Sequence, residues 1–242
     1  MSRTVVTFDG HELTASYVVS NLRTSLLPRS IATRDVPGMD GLALTGVKLA
    51  ARTITLTLTT TEKDIEDRQE AARSLAAALA VDGPRPLSIS IDGGIYFMAV
   101  PTSNNDATRY VNATSFDVAF ECQDPVGYGE EQTVTVPSGG TATFTVGGTY
   151  PTMPAVSAPT AGGSDGTWRL ALDDGSFLYA EIPNGHASAA VMADCASRVL
   201  KVDGVVTLLI PEADWMVFDP GEHTLTMTGT GAATVTYRER WL

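Results

Sequence analysis

Two hydrophobic rhythms divide the first half of this chain. From residue 52 to 59 the alternation is unbroken: Arg52, Ile54, Leu56 and Leu58 fall on one side, Thr53, Thr55, Thr57 and Thr59 on the other. A period of two in a threonine-rich run predicts a half-buried strand. The period then changes. Ile65, Ala72, Leu75, Ala76 and Leu79 recur on one helical face, which predicts a helix over 62–80. Thr61 is its predicted N-cap, Glu62 and Asp64 complement the dipole in the first turn, and Gly83-Pro84 stops it. Period two returns over 86–91, with Leu87, Ile89 and Ile91 on one face. No other stretch predicts a helix, so β-structure must bury this one.

The rest of the chain reads as β. Residues 3–8 predict a first strand, turned by Asp9-Gly10, and 11–19 a second. After the turn Asp92-Gly93-Gly94, residues 95–100 return as a strand, 101–108 form a polar loop, and 109–122 predict a long strand with Phe116, Val118 and Phe120 inward. Asp124-Pro125 breaks it. Beyond Tyr128 short strands are separated by glycine-rich turns, the pattern of a β-sandwich or jelly roll. There Phe177, Tyr179 and Glu181 alternate with Leu178, Ala180 and Ile182, and 223–228 with 233–241 predict a closing hairpin. The expected fold is therefore mainly β in two domains. Residues 1–128 form a sandwich flanked by the helix, and 129–242 form a second sandwich, with Glu130-Glu131 on a solvated linker between them.

Residues 20–49 have no period. They contain Pro28, Pro37-Gly38, three arginines (Arg23, Arg29 and Arg34) and the apolar Leu22, Leu26, Leu27, Ile31, Val36 and Met39. So long a structureless stretch is uncommon inside a domain. It is either a mobile loop or an arm whose partners lie on another subunit, and its apolar content favours the arm. Arg23, Leu26, Leu27, Arg29, Ile31, Arg34 and Met39 are its candidate interface residues.

Composition narrows the function. A net charge of −12 argues against a groove for phosphate backbone, although DNA passes a smooth acidic wall without sticking. No run approaches the ~18 apolar residues of a membrane span. The first ten residues read as a strand rather than a leader, so synthesis in a cytosol is expected. Cys122 and Cys195 read as buried thiols. His11, His186 and His223 have no His or Cys at ligand spacing. The run 229–234 faintly resembles a dinucleotide loop but lies between two predicted strands. Asp173-Asp174-Gly175 is turn chemistry. Asn112-Ala113-Thr114 matches a glycosylation acceptor, but on a strand of a chain that is not secreted. No catalytic, cofactor or metal site is expected. Trp168, Trp215 and Tyr179 are either packing residues or a stacking platform for a sugar ring.

The chain resembles the distal tail proteins of long-tailed, non-contractile bacteriophages over nearly its whole length. The resemblance is carried by 8–13 (Phe-Asp-Gly-His-Glu-Leu), 37–41 (Pro-Gly-Met-Asp-Gly) and the strand from Arg52 into the helix with Arg68 and Arg73. It continues through 107–111, 120–125 with Tyr128-Gly129, Asp214-Trp215, 220–225 and the terminal Arg238-Glu-Arg-Trp-Leu242. It implies a tail-tube-like first domain that closes into a homo-hexameric ring around the DNA channel, and a galectin-like or carbohydrate-module-like second domain. Such a ring joins the tail tube protein to the tail hub and to receptor-binding or baseplate proteins in the virion. The alternative is a carbohydrate-binding protein of the tail tip that recognises the host wall.

Overall fold

The computed structural model describes residues 3–102, 106–109, 113–163, 165–183 and 186–242, with 106 and 107 described by backbone alone. Residues 103–105 of the expected polar loop lie outside these, as do Tyr110, Val111 and Asn112 and the acceptor motif read there. The chain divides into two units, residues 1–128 and 129–241.

The first unit has strands β1 (Val6–Phe8), β2 (His11–Glu12), β3 (Tyr17–Thr24), β4 (Arg29–Arg34), β5 (Ala43–Leu49) and β6 (Arg52–Thr60). Helix α1 (Ile65–Leu79) follows, then β7 (Arg85–Ile89), β8 (Tyr96–Pro101), β9 (Asp106–Arg109) and β10 (Thr114–Cys122). The alternation read over 52–59 is the registering device. β6 pairs along its length with β10, from Ser115–Thr59 to Cys122–Arg52, and on its other side with β3. A second layer runs β2-β1-β7-β8. Ile54, Leu56, Leu58, Val118 and Phe120 from one layer meet Phe8, Leu87, Ile89 and Phe97 from the other, all buried. The Phe8 and Phe120 rings lie 5.0 Å apart. This is a sandwich, as the period-two runs require.

The helix is shorter than predicted and turned on its axis. Asp64, not Thr61, takes the N-cap position, and the buried face is Ala71 and Leu75, with Ala78 and Leu79 partly covered. At about 100° per residue, Ile65 lies roughly 120° away from Ala71. Ile65 is accordingly 65% exposed, and does not belong to the core face. Ile91 also leaves its expected face, because the chain turns into a 3₁₀ segment, Ser90–Asp92, before the sheet can cover it.

The second unit has β11 (Gly127–Val136), which starts two residues before it, β12 (Thr141–Val146), β13 (Ala155–Ala161), β14 (Thr167–Leu172) and β15 (Phe177–Glu181). It continues with β16 (Ala189–Asp194), β17 (Val199–Val202), β18 (Val205–Thr207), β19 (Gly221–Thr228) and β20 (Ala233–Trp241). One sheet runs β18-β17-β16-β13-β20-β11 and the other β12-β19-β14-β15. Trp168, Leu170, Leu178 and Met227 of the smaller sheet pack with Val156, Val191, Leu200 and Val235 of the larger. Of the two alternating sets on this strand, Leu178, Ala180 and Ile182 are the buried one.

Two expectations fail here. Glu130 and Glu131 are not on a linker: both lie on β11, and Arg238 on β20 donates to Glu131 at 3.1 Å. A cross-strand cation thus lets an acidic pair occupy a strand that local composition reads as a loop. Nor do β19 and β20 form a hairpin, since they belong to opposite sheets. The connection is a corner. Gly231 has φ +83 there, and any Cβ would meet the Thr160 carbonyl oxygen at 2.1 Å. The chain can press that closely against its neighbour only with glycine.

His223 clamps two turns of this unit. Its Nδ1 lies 3.2 Å from Asp173 Oδ1 and its Nε2 2.7 Å from the Asp219 carbonyl, with the ring stacked on Phe218. Both neighbours are acceptors, which only the doubly protonated ring satisfies. Burial depresses its pKa, but the Asp219 carbonyl and the Asp173 carboxylate outweigh that and hold it above the usual histidine value.

Two outcomes follow from this packing. Leu75→Ala should lower unfolding free energy by about 2–5 kcal/mol in a denaturant melt, whereas Ile65→Ala should change it by less than ~0.5 kcal/mol. Equal effects would refute the rotated face. Because the folded pKa of His223 is raised, its contribution is complete below about pH 6.5, the unfolded value, and is lost as pH rises through the folded value. Thermal stability measured from pH 6 to 9 should therefore fall in the wild type, and His223→Gln should flatten that slope.

Candidate assembly surface

The stretch that has no period in the sequence is a β-hairpin. β3 continues through Thr24, paired with β6, so Leu22 packs against the core and is not part of an arm. A register shift between Val19 and Asn21 interrupts the alternation of β3, and this is why a simple periodicity stops there. β3 also ends its layer, leaving one backbone edge without a strand among the described residues of its unit. From Ser25 the chain leaves the sheet, and among the described residues β4 and β5 pair only with each other.

The register of this ribbon separates two faces. Arg29 is opposite Leu49, Ile31 opposite Val47 and Thr33 opposite Leu44; between them Ser30 faces Lys48, Ala32 faces Gly46 and Arg34 faces Ala43. Directly opposed residues share a face. The register shifts by one between Ala32 and Thr33, leaving Thr45 without an opposite residue. That bulge changes the phase of β5. Leu44, which would otherwise lie with Gly46, joins Ile31 and Val47. One face therefore carries Ile31, Leu44, Val47 and Leu49 with Arg29 and Thr33, and the other carries small residues with Arg34 and Lys48.

Most of the apolar face is exposed, with Leu49 at its base partly covered. Ile31 is 62% exposed, Leu44 64% and Val47 50%. Leu26, at the root, is 88% exposed, and Leu27, Val36, Met39 and Leu42 are also exposed. A two-stranded hairpin alone is marginally stable in water at best, and these side chains form an exposed apolar surface of the kind that marks an interaction site. Arg23, Arg29 and Arg34 are exposed, and no described carboxylate forms an ion pair with any of them. With Lys48, and against only Asp35 and Asp40, they make residues 20–49 net positive within a chain of net charge −12.

The sugar-stacking candidates do not converge. Trp168 is 0% exposed, its Nε1 directed at Met227 Sδ at 3.2 Å, so it is a core residue and offers no ring face. Its strand alternates so cleanly that the inward phase was readable, and the tryptophan lies on it. Trp215 is partly buried against the same core. Tyr179 lies half-buried opposite Arg169 on β14, and the neighbouring Phe177 ring is covered by that arginine's guanidinium at 4.1 Å. Among the described residues no cluster of His, Cys, Asp or Glu could hold a metal, and no helix is long and apolar enough to cross a membrane. Cys122 and Cys195 are free and buried, and burial raises each thiol pKa to about 11.

Comparison with known proteins agrees with this geometry. Residues 12–122 match the phage tail protein RIFT-related domain, and residues 147–241 the siphovirus-type tail component C-terminal domain. The chain is 26% identical over 256 residues to the distal tail protein of Bacillus phage SPP1, covering 97% of this chain and 94% of that one. The SPP1 Dit crystal structure, described as a paradigm of hub adsorption apparatus in Gram-positive infecting phages, superposes with a TM-score of 0.82 at 21% identity over all of both chains. A chain of the phage P2 baseplate in its activated conformation with Ca superposes with a TM-score of 0.52 at 9% identity, covering 99% of this chain and 98% of that one.

A core role for Trp168 has a direct consequence. Trp168→Ala should cost about 3–5 kcal/mol in the unfolding transition of the second unit, read by circular dichroism. An unchanged transition would mean that the ring is not buried.

Proposed function

The chain belongs to the distal tail protein family of siphovirus-type phages, and we propose on that premise that it closes into a homo-hexameric ring at the distal end of the tail. The family is one of structural proteins of the tail and baseplate, so this is a virion protein and not an enzyme. In the proposed ring the first unit surrounds the DNA channel and joins the tail tube protein to the tail hub. The second unit meets receptor-binding or baseplate proteins. A chain of net charge −12 lets DNA pass without retaining it.

The observation that carries the ring is the one-sided hairpin. In a cyclic assembly each subunit offers its neighbour the same surface, so a heterologous contact closes when the rotation fits. Burying one large apolar side chain contributes roughly 1.5–3 kcal/mol. Ile31, Leu44, Val47, Leu26 and Leu42 together therefore reach the same order as the ~4–15 kcal/mol lost in rigid-body freedom on association. Arg29 shares the face of Ile31 and Val47, Arg34 stands on the other face and Arg23 on β3, and the acidic remainder of a second copy is their natural counterpart. Carbohydrate recognition has less support, because Trp168 is buried and Phe177 is covered.

Light scattering coupled to gel filtration tests this reading on the full-length protein. The wild type should run as a hexamer, and the variant with Ile31→Asp, Leu44→Asp and Val47→Asp as a folded monomer. A wild type that stays monomeric at high concentration, or a triple variant that remains hexameric, would overturn it.

A further inference from the structure

Arg52 is a cation with 5% exposure. The alternation of β6 turns it inward with Ile54, Leu56 and Leu58. Its Nε donates to the carbonyl of Pro125 at 2.8 Å, its Nη1 to the carbonyl of Ser25 at 2.8 Å, and the guanidinium lies 5.1 Å from the centroid of the Phe97 ring. Its Nη2 is buried without a hydrogen-bond partner. Asp92 acts on it electrostatically, but no described carboxylate forms an ion pair with it. For stability alone this is a poor use of the site. Desolvating a cation is costly, and an apolar side chain of similar volume commonly does as well or better.

What the guanidinium does supply is a link between three points of the backbone. Ser25 is the first residue after β3, where the chain departs for the hairpin. Arg52 is where it returns, two residues after Ala50, whose N–H closes the hairpin root on the carbonyl of Pro28 at 3.0 Å. Pro125 belongs to a segment that is itself held, because Asp124 accepts from the Val126 N–H at 3.2 Å and from the Tyr128 hydroxyl. Among the described residues, the Arg52–Ser25 contact is the one side-chain hydrogen bond joining residues 25–51 to the rest of their unit.

We propose that Arg52 is the positioning residue of the arm: its guanidinium ties the departing leg of the hairpin to its returning leg and to the 122–126 segment, and so sets the direction in which the apolar face points. The relevance of that direction to assembly rests on the ring reading; the positioning itself is a property of a single copy. Lysine keeps the charge, but a single ammonium cannot reproduce the planar fork that reaches two separate carbonyls. Methionine leaves both carbonyls unpaired.

The test is a pulsed electron–electron distance measurement between nitroxides at Ala32→Cys on the hairpin and Arg73→Cys on α1. It uses full-length protein at a concentration where light scattering finds the monomer, so its result does not depend on ring formation. With Arg52 present, one narrow distance distribution is expected. Arg52→Met and Arg52→Lys should each broaden it at least twofold, while the amide exchange of α1 changes less than twofold. Either variant keeping the narrow distribution would overturn the proposal, and so would broadening that appears only together with faster exchange in α1. Where Arg52→Met fails to fold, Arg52→Lys alone decides between these outcomes.

Discussion

A two-stranded ribbon has no interior. Each of its side chains stands on one of two faces, and a face is dry only if something else lies on it. The hairpin of β4 and β5 places Ile31, Leu44, Val47 and Leu49 together on one such face, and the first three stand exposed. Two-stranded hairpins are marginal in water, which is why the proposed ring places a neighbouring subunit against this one. The extra residue Thr45 in β5 is what keeps Leu44 in phase with Val47. A bulge in that position is a device that aims a side chain, and it concentrates the apolar residues on one side.

The remainder of the first unit serves to hold that ribbon. β6 is paired on both sides, to β3 and to β10, and its inward residues are the middle of the sandwich core. The hairpin springs from between β3 and β6, two strands paired to each other. Its root is tied by Arg52, a residue better suited to fixing geometry than to adding stability. The second unit closes its own core around Trp168, Leu170 and Leu178, and carries its polar chemistry in turns such as the His223 clamp. The chain belongs to a family of structural tail proteins.

Much of this was legible in the residues. Unbroken alternation locates β6 and the alternation of β15, and a change of period locates α1. The errors have physical causes. The helix face was misjudged at Ile65 because an apolar residue in a first turn lies off the buried stripe at no cost when no neighbour reaches it. The strands of this stretch are not readable because their alternation is broken twice by register shifts, and because an exposed ribbon shows no simple inside and outside. The apolar content of 20–49 was the surviving signal. Arg52 fell on the inward side of a run read as strand, and its role needed the positions of Ser25 and Pro125, which lie far from it in the chain.

The central claim is that a second copy of this chain covers the apolar face of the hairpin in a closed ring. Electron microscopy of the purified full-length protein tests it most directly. The account predicts six-fold rings with an open centre, in which density for residues 29–49 of each subunit lies against its neighbour. Particles without rotational symmetry, or rings in which the hairpin projects freely into solvent, would contradict it.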